Sequence, residues 1–575
     1  GLVGVNAGTS SINNSRASGT VVGGGFNNGG LVGENDANAT ISGSYYNGPS
    51  VTGYLNTGGL VGQNYGNISN SYVASGASVH GATETGGFVG YAQSGTISGS
   101  YSAATVFGDQ NGSTSSNDVG GFAGFLTSST TLNGNYATGN VTGGSNVGGF
   151  VGSLNGATLT GVHATGNIYG NRSDSNNGGG LIGYAVTSIA LSKSWASGNV
   201  VWNTTGFSTA GGLVGNVNTP GTIDQTFATG NVQGGTGSVG GLVGNNSATI
   251  SNSYATGNVT GQTGAWTGGF VGGNWSTITK SYATGTATGG ANVGGFAGLN
   301  AGSLDSTNIW NTTTGNATNP SGSAVGKTTA QMQTLATFTG QGWASIDGNF
   351  GTGTIWRIYA GQTAPQLRNL MTQATIVGAD ATYAYTGVAP SMASVCTTAG
   401  GACNPSLLQG GGSWVGGIDV GTYNVPTGFY STGAGYDITY GSGKLVITPA
   451  ALNITANNQN KGYGSTFTFT GNEYTAAGLK NGETIGSVSI SSAGAANTAT
   501  IAGGPYAINV SNATGGTFNP SNYSITYNTG LLTIGKGTVT ITGLAGVNKV
   551  YDGTTTAGVD TSGIQFSGLV NGDTI

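Results

Sequence analysis

A glycine-rich head recurs along the first 300 residues and constrains the fold more than any other feature. One copy reads Gly-Gly-Leu-Val-Gly at 240–244, and a clipped copy, Gly-Leu-Val-Gly, opens the chain. The other copies begin at Gly29, Gly58, Gly86, Gly120, Gly148, Gly179, Gly211, Gly268 and Gly294. Self-similarity at this period of 20–50 residues is typical of solenoids, propellers and arrays, so the repeat decides the architecture before any local motif.

Each repeat contains short segments that suit β-strands. In the copy that starts at Gly240 they are the head, the stretch from Thr249 to Ala255, and the short run 258–260, each bounded by Gly, Asn or Ser. Helices are disfavoured because the apolar residues lack a 3.6 period and glycine is costly inside a helix. A propeller is disfavoured because one blade needs about 40–45 residues. Successive heads are only 26 to 34 residues apart. Three strands per repeat therefore predict an all-β fold over residues 1–300, a parallel β-helix (β-solenoid) of about eleven coils.

Composition narrows the class of function. Only 5% of the 575 residues are charged, the net charge is −5, and no cluster of Lys and Arg occurs. Nucleic-acid binding needs a basic patch, so no nucleic-acid partner is expected. No run of 18 apolar residues occurs either, so we expect no membrane span in this segment.

Stacking of coils places equivalent residues in columns. One apolar column is expected to be buried throughout, namely Leu31, Leu60, Phe88, Phe122, Phe150, Leu181, Leu213, Leu242, Phe270 and Phe296. The glycine two residues after each member suggests a corner where no Cβ fits.

A second column is aromatic, with Tyr72, Tyr101, Tyr136, His163, Trp195, Phe227, Tyr254 and Tyr282. It is either a stacking ladder at the interior or rim, or an exposed sugar-binding platform. In the second interpretation the binding face is formed by Tyr72, Tyr101, Tyr136, Trp195, Tyr254 and Tyr282.

The repeat stops after Gly298, and a different organisation follows. Residues 301–373 are predicted to form the C-terminal cap of the solenoid, with a short helix at 328–336 and Thr328 as its N-cap.

From 374 a longer repeat begins, in which 436–447 (YDITYGSGKLVI) matches 523–534 (YSITYNTGLLTI). Period-2 alternation predicts tandem small β modules at 374–449 and 450–535, either β-sandwich or β-grasp-like, and the start of a truncated module at 536–575. Both ends of the chain are expected to be truncated.

These motifs resemble known families. The head followed by Ile-Ser-Asn-Ser-Tyr-Ala-Thr-Gly at 250–257 is similar to the GLUG repeat of bacterial surface proteins, which include secreted exoproteins like filamentous haemagglutinin. The C-terminal modules resemble MBG and YDG modules, and 549–553 (KVYDG) carries the YDG signature. The resemblance implies an extracellular or cell-surface location and an array role, with an outer-membrane secretion partner for the full-length protein. It supplies no catalytic residue.

The sequence offers little material for a chemical site. Cys396 and Cys403 are the only cysteines, and in an exported protein they are expected to form a local disulfide, with free thiols as the alternative. No hydrolase elbow, zinc-protease motif or phosphate-binding loop occurs, so no catalytic residue, cofactor or metal site is predicted. Two acidic pairs, Glu34 with Asp36 and Asp109 with Asp118, are expected to be solvated loop residues.

Three classes of function are compared. The favoured class is a non-catalytic structural and adhesive segment that attaches to host or neighbouring cells, glycans or matrix by multivalent weak contacts. The second is a carbohydrate-active β-helix enzyme or glycan-binding module, which would need acidic side chains gathered in one groove. The third is an ice- or surface-binding solenoid, suggested by the column Thr138, Thr165, Thr229, Thr256 and Thr284.

Overall fold

A computed structural model describes residues 1–575 except 109–116, 171–175, 203–205, 317, 320, 379, 391–393, 411–416 and 425–427. The described chain divides into two compact units. The first contains residues 1–373, 404–409 and 430–438, and the second contains 374–403, 410–429 and 439–575. The boundaries of the five predicted domains stay a prediction. No helix among the described residues is long and apolar enough to cross a bilayer.

The first unit begins with the predicted β-solenoid, whose coils pair in parallel and in register. A complete coil has five short strands rather than the three expected. In one coil they are Ser238–Gly240, Val243–Asn246, Thr249–Ser251, Tyr254–Ala255 and Val259–Thr260. The prediction was wrong because two segments bend within themselves. One bends between Gly240 and Val243, and the other at Asn252, which has a φ of +45°.

Equivalent strands stack into long sheets, which we name by position in the coil. The head sheet has eleven strands, from Val3–Asn6 to Ala297–Asn300, and the pre-head sheet has ten, from Phe26–Gly29 to Asn292–Gly294. The aromatic sheet has twelve strands, from Arg16–Ala17 to Val325–Lys327, and the valine sheet has ten, from Val21–Val22 to Ala287–Thr288. The isoleucine sheet is interrupted, with five strands from Ser11–Asn13 to Thr130–Asn133 and six from Thr158–Thr160 to Ser303–Leu304.

The core of the solenoid is the predicted Leu/Phe column. All ten side chains from Leu31 to Phe296 are 0% exposed, which confirms this prediction. Neighbouring phenylalanine rings stack, as Phe122 and Phe150 do at 4.8 Å between centroids. The glycine that follows each member is within a head-sheet strand and does not form a corner. A Cβ on Gly244 would lie 2.5 Å from the carbonyl oxygen of Gly215, so close approach of neighbouring backbones excludes a side chain there.

Rows of asparagine side chains form hydrogen bonds with one another inside the solenoid, from one coil to the next. The Asn35 side chain accepts a hydrogen bond from Asn6 Nδ2 at 2.8 Å and donates to Asn64 Oδ1 at 2.8 Å. The same arrangement returns between Asn246 and Asn274 at 2.8 Å. Each link joins one coil to the next without leaving an amide unpaired, as buried polar groups require.

Residues 301–373 cover the last coils. Their helices are Thr329–Met332 and Leu335–Thr339, followed by a 3-10 turn at Arg368–Leu370. Thr328 is the N-cap as predicted, and Gln331 completes a capping box, but the helix breaks before Leu335 instead of continuing to 336. A three-stranded sheet contains Ile346–Asp347, Trp356–Arg357 and Gln366–Leu367.

Residues 372–448 contribute to both units, since 404–409 and 430–438 belong to the first. Their strands are Thr372–Gly378, Ala381–Ala384, Ser394–Thr398, Gly401–Ala402, Gln409–Gly410, Gly421–Asn424, Phe429–Tyr430, Tyr436–Tyr440 and Lys444–Thr448, with a 3-10 turn at Pro405–Leu407. Cys396 and Cys403 are joined by a disulfide with their Cα atoms 5.4 Å apart. The bond closes the hairpin between Ser394–Thr398 and Gly401–Ala402.

Residues 450–535 are described throughout and contain no α-helix. The strands are Ala450–Ala456, Gln459–Gly462, Tyr474–Ala477, Ile485–Ser491, Tyr506–Gly516, Tyr523–Asn528 and Gly530–Gly535, with 3-10 turns at Ala493–Ala495 and Pro520–Asn522. They form a three-stranded and a four-stranded sheet. Leu452 from one sheet and Ile508 from the other are both 0% exposed in a shared core. Of the two topologies left open, the structure has the sandwich.

The longer repeat is visible in strand pairing. Gln459–Gly462 pairs in parallel with Gly530–Gly535, and Ala381–Ala384 pairs in parallel with Lys444–Thr448. The matched segments 436–447 and 523–534 thus end on strands that make the same kind of pairing. Residues 536–575 form two small hairpin-like pairs, with strands Thr540–Thr542, Ala545–Gly546, Val559–Asp560 and Gln565–Ser567.

Candidate binding face

The aromatic column of the sequence is a continuous stack of rings. Nine side chains take part, which are Tyr45, Tyr72, Tyr101, Tyr136, His163, Trp195, Phe227, Tyr254 and Tyr282. Neighbouring centroids lie 4.5 to 5.5 Å apart, and neighbouring planes differ by at most 8°. These distances follow the spacing between strands, since each ring is the first residue of a two-residue strand in the aromatic sheet. We call this stack the ring ladder.

Sequence reasoning missed one member of the ring ladder. Tyr45 stacks on Tyr72 at 4.7 Å, but it is followed directly by Tyr46, so the tyrosine that occupies the column was ambiguous. The preceding Ile41-Ser42-Gly43-Ser44 carried the signal, because it repeats the pattern Ile-Ser-x-Ser found directly before Tyr72, Tyr101 and Tyr254. Tyr46 instead points inward and is 0% exposed.

The ring ladder has two halves that differ in exposure. The open half consists of rings that are half-buried, namely Tyr45, Tyr72, Tyr101, Tyr136, His163 and Trp195. The covered half consists of Phe227, Tyr254 and Tyr282, which are at most 2% exposed. The binding-face hypothesis was therefore wrong for Tyr254 and Tyr282. For Tyr72, Tyr101, Tyr136 and Trp195 it stays a prediction.

The cap is what buries the covered half. The Tyr282 hydroxyl donates to the carbonyl oxygen of Pro365 at 2.6 Å, and the Tyr254 hydroxyl donates to Gln366 Oε1 at 3.3 Å. Trp343 and Trp356 pack against Tyr282 with centroids 6.5 and 6.0 Å away. Burial raises the pKa of both tyrosines well above its ordinary value, so these hydroxyls stay neutral.

A buried ion cluster fixes the cap elements that make these contacts. Asp437 accepts a hydrogen bond from Arg368 Nη1 at 2.7 Å, and Arg357 Nε lies 3.2 Å from the other carboxylate oxygen. Arg368 also donates to Asp347 Oδ1 at 3.0 Å. Asp437 is 1% exposed, so its charge depends on these two arginines for compensation.

A groove of about 980 Å³ lies where the two halves meet. Its walls include Trp195, Thr229, Thr256, Thr284, Met332 and Gln366. None of the described residues that line it is charged. The threonine column considered for ice binding therefore ends inside this groove, and its last three members do not form a flat exposed array. The lining of rings, hydroxyls and amides suits a neutral ligand with one apolar face.

One ring of the open half is an imidazole, and it is partly shielded from water. His163 stacks between Tyr136 at 5.0 Å and Trp195 at 4.5 Å. Burial lowers the pKa of His163, because desolvation disfavours the imidazolium. A neutral imidazole thus continues the ring ladder at neutral pH.

The carboxylates differ from the expectation of solvated loops. Asp118 lies in the strand Asn117–Gly120 and accepts hydrogen bonds from Asn146 Nδ2, at 2.9 Å, and from the Ser153 hydroxyl. Burial raises its pKa. Register places Glu84 directly beside it on the preceding coil, and burial followed by repulsion from Asp118 raises the pKa of Glu84 to about 7. Glu34 is likewise in a strand, while Asp36 follows that strand and is half-buried. Asp109 lies outside the described residues.

These carboxylates do not gather into a larger cluster. Within the part of the chain that the structure describes, no group of three or more His, Cys, Asp or Glu side chains is placed to hold a metal ion. His80 and His163 lie on different sheets, in the strands Ser78–His80 and His163–Ala164.

Comparison with known families gives three matches. The GLUG motif matches residues 235–260, an MBG domain of the YGX type matches 452–533, and a YDG domain matches 535–575. No curated protein and no solved structure shows a significant match. The matched GLUG segment is the coil that contains Tyr254, and the same head recurs on all of the other coils. The chain is therefore a GLUG-repeat protein with MBG and YDG modules in its C-terminal part.

Proposed function

We propose that this chain is a non-catalytic, adhesive segment of a secreted bacterial surface protein, which attaches to cells or surfaces by many weak contacts. GLUG, MBG and YDG modules typify secreted surface proteins, and these families are structural rather than enzymatic. The observation that carries the proposal is the open half of the ring ladder, where six half-buried rings repeat at 4.5 to 5.1 Å. Each ring offers a similar small contact, so affinity comes from their number.

The ligand class follows from the chemistry of the rings. An aromatic ring with an apolar face and a polar edge suits the C–H face of a sugar and its hydroxyl rim. Low charge along the chain gives little long-range attraction for an ionic ligand. Glycans of a host cell, a neighbouring cell or matrix are the proposed partners, and an outer-membrane partner is proposed for secretion.

The test varies the number of coils and keeps the cap. Chains that begin at residue 1, at Gly86 and at Gly179 retain eleven, eight and five heads. They keep six, four and one of the six rings of the open half, counted from Tyr45 to Trp195. Binding to glycan-coated surfaces should weaken at each step, because each lost ring removes one contact.

The outcome is informative in both directions. Equal affinity at all three lengths would mean a discrete site on the last coils, and the array proposal would be wrong. Turnover of a polysaccharide by the longest chain would favour the alternative, a carbohydrate-active β-helix enzyme. Circular dichroism of each chain checks that the shortened solenoids remain folded.

A further inference from the structure

A second groove lies away from the ring ladder, where the pre-head sheet meets the head sheet. Its walls contain Tyr184, Phe207, Asn216, Asn218, Asn245 and Trp275. It consists of two adjoining depressions of about 470 and 260 Å³, which share Phe207, Thr209 and two asparagines. The larger one falls in the range of about 300–1,000 Å³ in which small-ligand sites occur. We call it the amide groove.

Two large rings of the amide groove are exposed to solvent. Phe207 is 70% exposed and Trp275 is 49% exposed. Trp275 is nevertheless held in place, because its Nε1 donates to Asn245 Oδ1 at 2.8 Å and its ring meets that of Trp266 edge-on at 6.3 Å. An oriented indole that keeps half of its surface in water is a ready platform for the apolar face of a ligand.

The floor between the rings is a row of fixed amides. Asn245 Nδ2 donates to Asn216 Oδ1 at 3.1 Å, and Asn216 Nδ2 donates to Asn177 Oδ1 at 3.0 Å. An amide has two donors and two acceptor sites, so Asn216 keeps one N–H and one lone pair beyond these bonds. The Asn218 oxygen accepts from Asn245 at 3.1 Å, while its exposed Nδ2 donates to no other described residue. The row therefore presents both donors and acceptors to a ligand.

Charge and backbone pairing narrow the ligand class. None of the described residues that line the amide groove is charged, so an ionic ligand would lose its hydration without compensation. A peptide strand finds no edge to pair with, since Val214–Val217 and Val243–Asn246 are central strands of the head sheet. A sugar ring matches both parts of the groove, because its C–H face packs on an indole while its hydroxyls bond to amides.

We propose that the amide groove is a discrete binding site for a neutral oligosaccharide. One sugar unit packs on Trp275 and its hydroxyls bond to the Asn216 and Asn218 amides, while Phe207 contacts the neighbouring unit. Unlike the ring ladder, this site is not repeated on the adjoining coils that the structure describes, because these coils lack its aromatic pair. Gly273 follows Asn245 in the same column and has no side chain to continue the row. The proposal stands independently of any binding by the ring ladder.

The test uses the intact chain and soluble oligosaccharides, so that avidity does not contribute. Tetrasaccharides of glucose, galactose, mannose and N-acetylglucosamine are titrated by isothermal calorimetry. We expect at least one of them to bind saturably with one site per chain. Trp275→Ala and Phe207→Ala should each weaken it about tenfold or more, and Asn218→Asp should weaken it while leaving both rings in place.

The matched control is Tyr54→Ala, which removes a ring that is also 49% exposed but lies on an early coil. It should leave the affinity within about twofold, and thermal melting should show that all variants are folded. The proposal is overturned if none of the four tetrasaccharides binds the intact chain saturably. It is equally overturned if binding survives in both Trp275→Ala and Phe207→Ala, or if Tyr54→Ala weakens it to the same extent.

Discussion

The open and covered halves of the ring ladder have the same strand, the same register and the same stacking distances. Tyr72 and Tyr101 stack at 5.1 Å in one half, and Tyr254 and Tyr282 stack at 5.0 Å in the other. They differ in what lies above the rings, which is solvent in the first half and Trp343 and Trp356 in the second. One repeated residue can thus serve as a surface or as a core, and the cap decides which.

The largest expected effect separates the halves by stability. Tyr282→Ala removes a fully buried ring and its hydrogen bond to Pro365, and should lower the free energy of unfolding by about 4–5 kcal/mol. Tyr101→Ala removes an equivalent ring from the open half and should cost less than about 1 kcal/mol. Urea unfolding followed by tryptophan fluorescence measures both. Similar losses for the two variants would contradict the distinction between the halves.

Loosening the cap should turn the covered half into an open one. Asp437→Ala leaves Arg357 and Arg368 without their shared carboxylate, which should cost about 3–4 kcal/mol of cap stability. The control is Asp347→Ala, since this carboxylate pairs with only one of the two arginines, Arg368, and its side chain is 21% exposed. It also accepts hydrogen bonds from Asn349 N and the Thr352 hydroxyl, so its removal should cost about 1–2 kcal/mol, less than removal of Asp437. Acrylamide quenching should rise for Trp343 and Trp356 in the first variant alone. Unchanged quenching would mean that the ion cluster does not hold the cap.

High pH should weaken the pre-head sheet around Glu84, which lies on the uncapped coils, and should not weaken the coils under the cap. The folded protein holds a proton on Glu84 up to about pH 7, whereas the unfolded chain releases it near 4.5, so stability is lost as pH rises through this window. Glu84→Gln should therefore raise the melting temperature more at pH 8 than at pH 5. Glu34→Gln is the control, because this carboxylate already accepts a hydrogen bond from Asn27 at 2.8 Å. An equal rise in the melting temperature of Glu84→Gln at pH 5 and pH 8 would contradict a raised pKa of Glu84.

Low pH should act on the ring ladder itself, with a smaller effect. Because the folded pKa of His163 is lowered, its contribution to stability is present above the ordinary value of 6.5 and is lost as pH falls through the folded value. His163→Tyr places the residue typical of this column there and should remove the loss. The protection factor of the His163–Ala164 amides, which is the exchange rate corrected for the intrinsic rate at each pH, measures it at pH 5 and pH 8. A protection factor that rises on acidification of the unmodified chain would contradict the sign.

How far the sequence predicts this molecule depends on whether a residue belongs to the repeat. The Leu/Phe column could be predicted because it recurs with every head, and each member has the same environment. The five strands per coil could not, since the positive φ of Asn252 is a backbone property that the pattern of residue types does not specify. The covered half could not be foreseen either. Trp343 and Trp356 occur once, and no periodicity indicates which face they pack on.

The two grooves show the same limit. Phe207 and Trp275 interrupt the repeat at single coils, so no column signals them, and only the fold brings them to one surface. The repeat gives Asn216 and Asn245 a shared position, but it does not say that their amides join in one row. Sites built from the repeat are visible in sequence, whereas sites built from exceptions to it need the structure.

The most direct test of the account counts rings in the intact chain. Binding to a glycan-coated surface is compared for the unmodified chain, for Tyr101→Ala, and for the triple variant Tyr72→Ala, Tyr101→Ala, Tyr136→Ala. A matched triple variant on the isoleucine sheet, Thr131→Ala, Thr158→Ala, Thr222→Ala, changes three exposed residues elsewhere. We predict a small loss for the single variant, a loss of about tenfold or more for the ring triple, and none for the threonine triple. Abolition of binding by Tyr101→Ala alone, or full binding by the ring triple, would contradict attachment through a repeated array.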